Sequence, residues 1–147
     1  MAELKTKLMT TWTGLLQGDG RVGSATIDLP LAIPQSYGGT GAGSHPKELL
    51  MASAAACYVM TLAGMLTARK IEQAGLTVAS ELSDIPKQGM QISHRVQIEL
   101  PSKATQEQRG AAESLIDAAD KSCMIGNLLK AAGVQIEASG QVATLFV

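Results

Sequence analysis

Between Lys47-Glu48 and Arg69-Lys70 run twenty residues, Leu49 to Ala68, without a charged side chain. A stretch of that length has two fates: it crosses a bilayer, or other protein surrounds it. Ala, Ser, Thr, Gly and Cys supply about half of it, and these residues drive membrane insertion far less than Leu, Ile, Phe and Val. Amphipathic strand patterns on both sides also need something to pack against. The segment therefore reads as a buried central helix, apolar nearly all round, and no membrane partner is expected.

The flanking pattern fills in the rest. Leu4 to Trp12 reads as a strand, Gly18-Asp19-Gly20 as a turn, and Arg21 to Leu29 as the returning strand of a hairpin. Pro30 and Pro34 are expected to break regular structure. Gly38 to Ser44 reads as a flexible glycine loop leading into Pro46, a good first-turn residue for the long helix. That helix is expected to reach Arg69 or Lys70, with Gly75 closing its exit. Strands follow near Leu76 to Ile85 and Gln91 to Leu100. The second alternates, with Ile92, His94, Val96, Ile98 and Leu100 on one face. Thr105-Gln106-Glu107-Gln108 fits a capping box and starts a helix to about Asp120. A shorter segment, Ser122 to Ala132, follows, capped by Gly133. Val134 to Val147 reads as a final hairpin turning near Ser139-Gly140. The order means an α+β fold with antiparallel sheets, and the absence of linkers or repeats makes residues 1–147 a single domain.

Composition excludes several classes of function. With 12 basic and 13 acidic residues and no basic stripe, nucleic acid is not an expected partner. Aromatic residues make up 3%, too few for base-stacking platforms. Met1 to Lys7 carries charges and no apolar leader, so the cytoplasm is the expected location. There, paired cysteines are more often reduced or catalytic than structurally bridged. Cys57, Cys123, His45 and His94 lie too far apart in sequence for a metal motif, and no metal or cofactor is expected.

Cys57 falls in the middle of the long helix, where a cysteine is ordinarily a small apolar filler. Cys123 follows Lys121-Ser122 at the start of a short helix, where amides and an ammonium stabilise a thiolate; a core cysteine is the plain alternative. The glycine loop lacks the P-loop ending and the spacing of a dinucleotide fingerprint, and reads instead as a mobile loop over a site. His94 reads as a hydrogen-bonded core histidine, and His45 as a helix cap.

Two segments carry a resemblance. His45-Pro46-Lys47-Glu48-Leu49-Leu50-Met51-Ala52-Ser53-Ala54-Ala55-Ala56-Cys57 is similar to the central-helix segment of the OsmC/Ohr family, the osmotically inducible and organic-hydroperoxide-resistance proteins. Cys123-Met124-Ile125-Gly126-Asn127-Leu128-Leu129 resembles that family's second-cysteine segment, and the 66-residue separation of the cysteines suits it. Trp12-Thr13-Gly14 with the Gly18-Asp19-Gly20 turn resembles its N-terminal hairpin. The resemblance implies an OsmC-like fold, with antiparallel sheets packed around long central helices in an intertwined homodimer whose active sites lie at the subunit interface. It also implies a two-cysteine peroxidase. Cys57 would attack an organic hydroperoxide and become a sulfenic acid, Cys123 would resolve it as a disulfide, and a dithiol would reduce the disulfide.

The chain departs from the family where charge is needed. Family members place a glutamate directly after the helix-opening proline. Lys47 stands there, with Glu48 one residue on and so turned by about 100°. The family arginine is also missing, leaving Arg21, Lys47 or His45 to supply positive charge. Lys47 is the preferred substitute, although it precedes Cys57 by ten residues, roughly 15 Å along a helix, and would act from the other subunit. Two rival expectations remain: an OsmC-like binding protein holding a small apolar or thiol ligand in the interface cavity, and a dimeric domain with inert cysteines.

Overall fold

The computed structural model describes residues 4–146. The first three residues of the stretch read for a leader, and the last residue of the expected terminal hairpin, lie outside them. The chain forms two compact units, residues 1–49 and 50–147.

The first unit is a three-stranded antiparallel sheet of β1 (Met9–Thr13), β2 (Asp19–Gly23) and β3 (Asp28–Leu31), in that order. Its first strand is shorter than expected, because Met9 pairs with Gly23 and the chain then turns. Residues 4–8 have no ladder to join. That turn was not foreseen: the Ser24 hydroxyl accepts the amides of Thr26 and Ile27, and the Ser24 amide donates to the Ile27 carbonyl at 2.8 Å. The single returning strand is therefore two strands. Pro30 lies within β3, opposite Arg21, on an edge strand where a missing amide is tolerated.

The glycine loop is tied down. The amides of Gly39, Gly41 and Ser44 donate to the carbonyls of Pro34, Ile33 and Pro30. A Cβ on Gly39 would lie 2.0 Å from the Ile33 carbonyl oxygen, so only glycine allows that approach. Amides spent this way leave none of the three for a phosphate, and the loop is anchored rather than free.

Helix α1 (Pro46–Ala68) opens in the first unit and runs on in the second. It ends short of the expected exit: Lys70 takes the left-handed conformation, φ 57°, and the Ile71 amide closes on the Leu66 carbonyl. Gly75 instead begins β4 (Gly75–Ile85), which pairs antiparallel with β5 (Gly89–Leu100). Helices α2 (Gln106–Ser122) and α3 (Met124–Ala131) then carry the chain to β6 (Gln135–Thr144), which pairs parallel to β5. The α+β class holds, with β5 and β6 pairing parallel where an antiparallel sheet was expected. No terminal hairpin forms at Ser139-Gly140. Gly140 lies in the strand opposite Val96, and a Cβ there would lie 2.0 Å from the Val96 carbonyl oxygen. The glycine marks a close backbone approach, not a turn.

The core of the second unit forms where these periodicities meet. Tyr58, Leu62 and Leu66 of α1 pack with Val96, Ile98 and Leu100 of β5 and with Leu115 and Ile116 of α2. Ala54, Tyr58, Leu62 and Leu66 recur every fourth residue, so α1 buries a single stripe. Met60, off that stripe, is 72% exposed. The helix expected to be covered all round has one covered face in the isolated chain.

Candidate functional site: a paired-thiol corner

Residue 123 is a hinge between helices. It is the C-cap of α2 and the N-cap of α3, with extended backbone (φ −73°, ψ 114°). Its amide donates to the Asp120 carbonyl, and the Asn127 side chain donates to the Lys121 carbonyl at 2.8 Å. The sharp turn leaves the first amides of α3 without helical acceptors, and two sulfurs take them. The Gly126 amide donates to Cys123 Sγ at 3.4 Å, and the Ile125 amide to Cys57 Sγ at 3.5 Å.

Folding thus brings Cys57 and Cys123 together as free thiols, their sulfurs on the amides of adjacent residues of α3. Cys57 is half-buried on the flank of the α1 stripe, and Cys123 is buried in the core. Burial pushes the Cys57 thiol up. The Ile125 amide, the Cys123 thiol, the Thr61 hydroxyl and the Met124 amide outweigh it, so Cys57 lies below the ordinary thiol value. None of those four groups is a cation. Cys123 goes the other way: burial, and its proton shared with Cys57, push it up to about 11 despite the Gly126 amide.

That reverses one expectation. By sequence, Cys123 is the cysteine with a helix terminus and a lysine to hold a thiolate. Lys121 is turned onto Asp117 at 2.9 Å, and the α3 terminus serves both sulfurs. The anion is favoured on Cys57 instead. The Ile125 and Met124 amides were not foreseen, because main-chain donors leave no sequence signal. Thr61 could have been found, since it stands one helical turn after Cys57 and donates to the Cys57 carbonyl at 2.7 Å.

The predicted charged residues Arg21, Lys47 and Glu48, with His45, lie in the first unit. Arg21 is bound to Asp28 through Nε at 3.0 Å and Nη2 at 2.8 Å. Lys47 is half-buried and Glu48 exposed, both in the first turn of α1. His45 accepts the Glu48 amide through Nδ1 at 3.3 Å, which is its expected capping role. His94 is buried, shares a 2.7 Å hydrogen bond with Ser80 and stacks on Tyr58 at 5.0 Å, as expected of a core histidine. Burial holds it below the ordinary imidazole value. Among the described residues, no cluster of three or more His, Cys, Asp or Glu side chains is placed to hold a metal ion.

These features define an α+β protein with a main-chain-stabilised pair of thiols between a long helix and a helical corner. The profile of the OsmC-like protein family matches residues 39–139, and the chain belongs to that family. It is 31% identical over 144 residues to the uncharacterized protein YmaD of Bacillus subtilis, covering 95% of this chain and 96% of that one. Among solved structures, it matches an OsmC-like protein of Mycoplasma pneumoniae with a TM-score of 0.70 and 18% identity, covering 99% of this chain and 100% of that one. An organic hydroperoxide resistance protein OsmC of Legionella pneumophila matches at 0.66 and 21%, covering 95% and 99%. The fold is therefore shared by chains of widely divergent sequence.

Proposed function

We propose that the chain is a thiol-dependent peroxidase that reduces organic hydroperoxides. The observation that carries this is the pair of free thiols, 66 positions apart in sequence, whose sulfurs accept the neighbouring α3 amides of Ile125 and Gly126. The Cys57 thiolate attacks the terminal peroxide oxygen. The O–O bond breaks, the organic oxygen leaves as an alcohol after taking a proton, and Cys57 is left as a sulfenic acid. The Cys123 sulfur then attacks Cys57 Sγ, water leaves, and a disulfide forms. A dithiol reductant returns both thiols by exchange. The names of the Legionella protein and of OhrB of Bacillus subtilis, both organic hydroperoxide resistance proteins, agree with this substrate class.

The reading includes a cytoplasmic homodimer, with Lys47 assisting from a partner copy and Arg21 and Glu48 as further charged groups of the site. Mixing reduced protein with cumene hydroperoxide is expected to consume one equivalent, remove both titratable thiols and link Cys57 to Cys123. A Cys57→Ser variant is expected to consume none. Two thiols still titratable after excess peroxide would defeat the proposal. One observation favours a second reading, an OsmC-like binding protein for a small apolar or thiol ligand: the groups stabilising the Cys57 thiolate include no cation, and Arg21 is engaged by Asp28. Equal thermal stabilisation of wild type and Cys57→Ser by such a ligand would select it.

A further inference from the structure

A second feature of the corner is an ion pair that the thiol chemistry does not itself require. Asp120 lies in the last turn of α2, three residues before Cys123, and Lys130 lies in the last turn of α3. Lys130 Nζ meets Asp120 Oδ2 at 2.9 Å, with side-chain exposures of 31% and 12%. A carboxylate so nearly buried is costly unless paired, so the position calls for a reason.

The geometry supplies one. The Asp120 main chain already receives the Cys123 amide at 3.3 Å. Its side chain is fastened to the far end of α3. One residue therefore holds both sides of the hinge, and the Asn127–Lys121 bond closes the same corner. The direction in which α3 leaves Cys123 decides where the Ile125 and Gly126 amides point. Gly126 has little slack: a Cβ there would lie 3.3 Å from Cys123 Sγ. The pair also places charge beside the sulfur of residue 123, the carboxylate opposing a thiolate there and the ammonium offsetting the carboxylate.

We propose that Asp120, held by Lys130, is the positioning residue of the thiol pair: it locks the α2–α3 corner so that the Ile125 and Gly126 amides stay on the two sulfurs and Cys123 is the second of them to react. The order of reaction rests on the peroxidase reading; the locking of the corner does not. The titratable groups around it are Cys57 and Tyr58 from α1, His94 from β5, Asp120 from α2 and Lys130 from α3. From β6 come the apolar Ile136, Ala138 and Val142. Also from α2, Asp117 faces Tyr58 and is engaged by Lys121 at 2.9 Å, and the sign of Asp120's influence on Cys123 agrees with the direction in which that thiol is displaced.

The test measures iodoacetamide alkylation of each cysteine against pH in the full-length reduced protein, resolved by peptide mass. Asp120→Asn keeps the shape and the acceptor for Lys130 but removes the negative charge. It is expected to move the Cys123 midpoint down by about half a unit, or about threefold in rate at fixed pH. Lys130→Gln leaves the carboxylate uncompensated and is expected to move the Cys123 midpoint up by a similar amount. It also loosens α3, so the Cys57 midpoint rises. Asp120→Glu is expected to restore most of the wild-type profile. These opposite displacements separate positioning from simple damage, which would speed both sulfurs together through exposure. Midpoints unmoved in both variants, or moved in the same direction, overturn the proposal. The measurement uses no peroxide, so displaced midpoints in a protein inert to cumene hydroperoxide would keep this inference and discard the peroxidase reading alone.

Discussion

Tyr58 shows how much one side chain settles in this fold. Its ring is fully buried in the α1 stripe, its hydroxyl donates to the Ile116 carbonyl at 2.8 Å, and its face stacks on His94. It follows Cys57 directly, so whatever fixes Tyr58 fixes the helix phase that turns Cys57 to the flank. Burial and the charges of Asp120 and Asp117 hold the phenol above its ordinary value, and it remains a neutral donor at physiological pH. Tyr58→Phe removes the donor and leaves the ring. Loss of one buried neutral hydrogen bond costs about 1 kcal/mol, and in a chain of this size Tm is expected to fall by about 2–4 °C in calorimetry. An unchanged Tm would mean that the hydroxyl contributes nothing beyond what water offers it in the unfolded chain.

Among the elements, α2 is the one whose start was written most openly in the sequence. Thr105 and Gln108 exchange hydrogen bonds of 3.1 and 3.0 Å, satisfying two amides at the helix start. Thr105→Ala is expected to lower stability by about 1 kcal/mol, seen as an earlier urea midpoint with unchanged slope, while Cys57 alkylation stays as in wild type. A changed slope would show that the cap also shapes the unfolded ensemble. The capping box and the alternation of β5 were legible because both are local: spacing alone fixes which side chain meets which. Partner choice was not. Gly140 has the same composition signal whether it turns a hairpin or lets β6 approach β5, and only the long-range register decides. The thiols divide in the same way. The resemblance put Cys57 and Cys123 in one site, yet which of them holds the charge depends on burial and on the amides of residues 124–126. Neither is visible in residue types. Asp120 and Lys130, ten positions apart on different helices, left no local mark either.

For the molecule as a whole, α1 poses the remaining question. It is long and apolar enough to cross a membrane by length and composition, yet Tyr58, Leu62 and Leu66 are committed to the core of the second unit. A spanning helix would have to withdraw them and break the Tyr58–Ile116 bond. Its other side still exposes Met60, and the exposed Met124 and Leu128 of α3 add to the uncovered apolar surface. Exposed apolar surface of this kind can mark a place where another surface sits, and the homodimer of the proposed function supplies one without disturbing the core. Sedimentation equilibrium at micromolar concentration is expected to give twice the 15.3 kDa chain mass. Met60→Lys puts an ammonium where the second copy would desolvate it, a penalty of several kcal/mol if unpaired, and is expected to raise the dimer dissociation constant by at least about tenfold, since 1.4 kcal/mol suffices for that. Because Met60 is exposed within one chain, the same substitution leaves the monomer's fold intact, so circular dichroism should not change while the mass halves. A wild-type chain that sediments as a monomer, or a Met60→Lys chain that remains fully dimeric, would mean that α1's open side faces something other than a second copy.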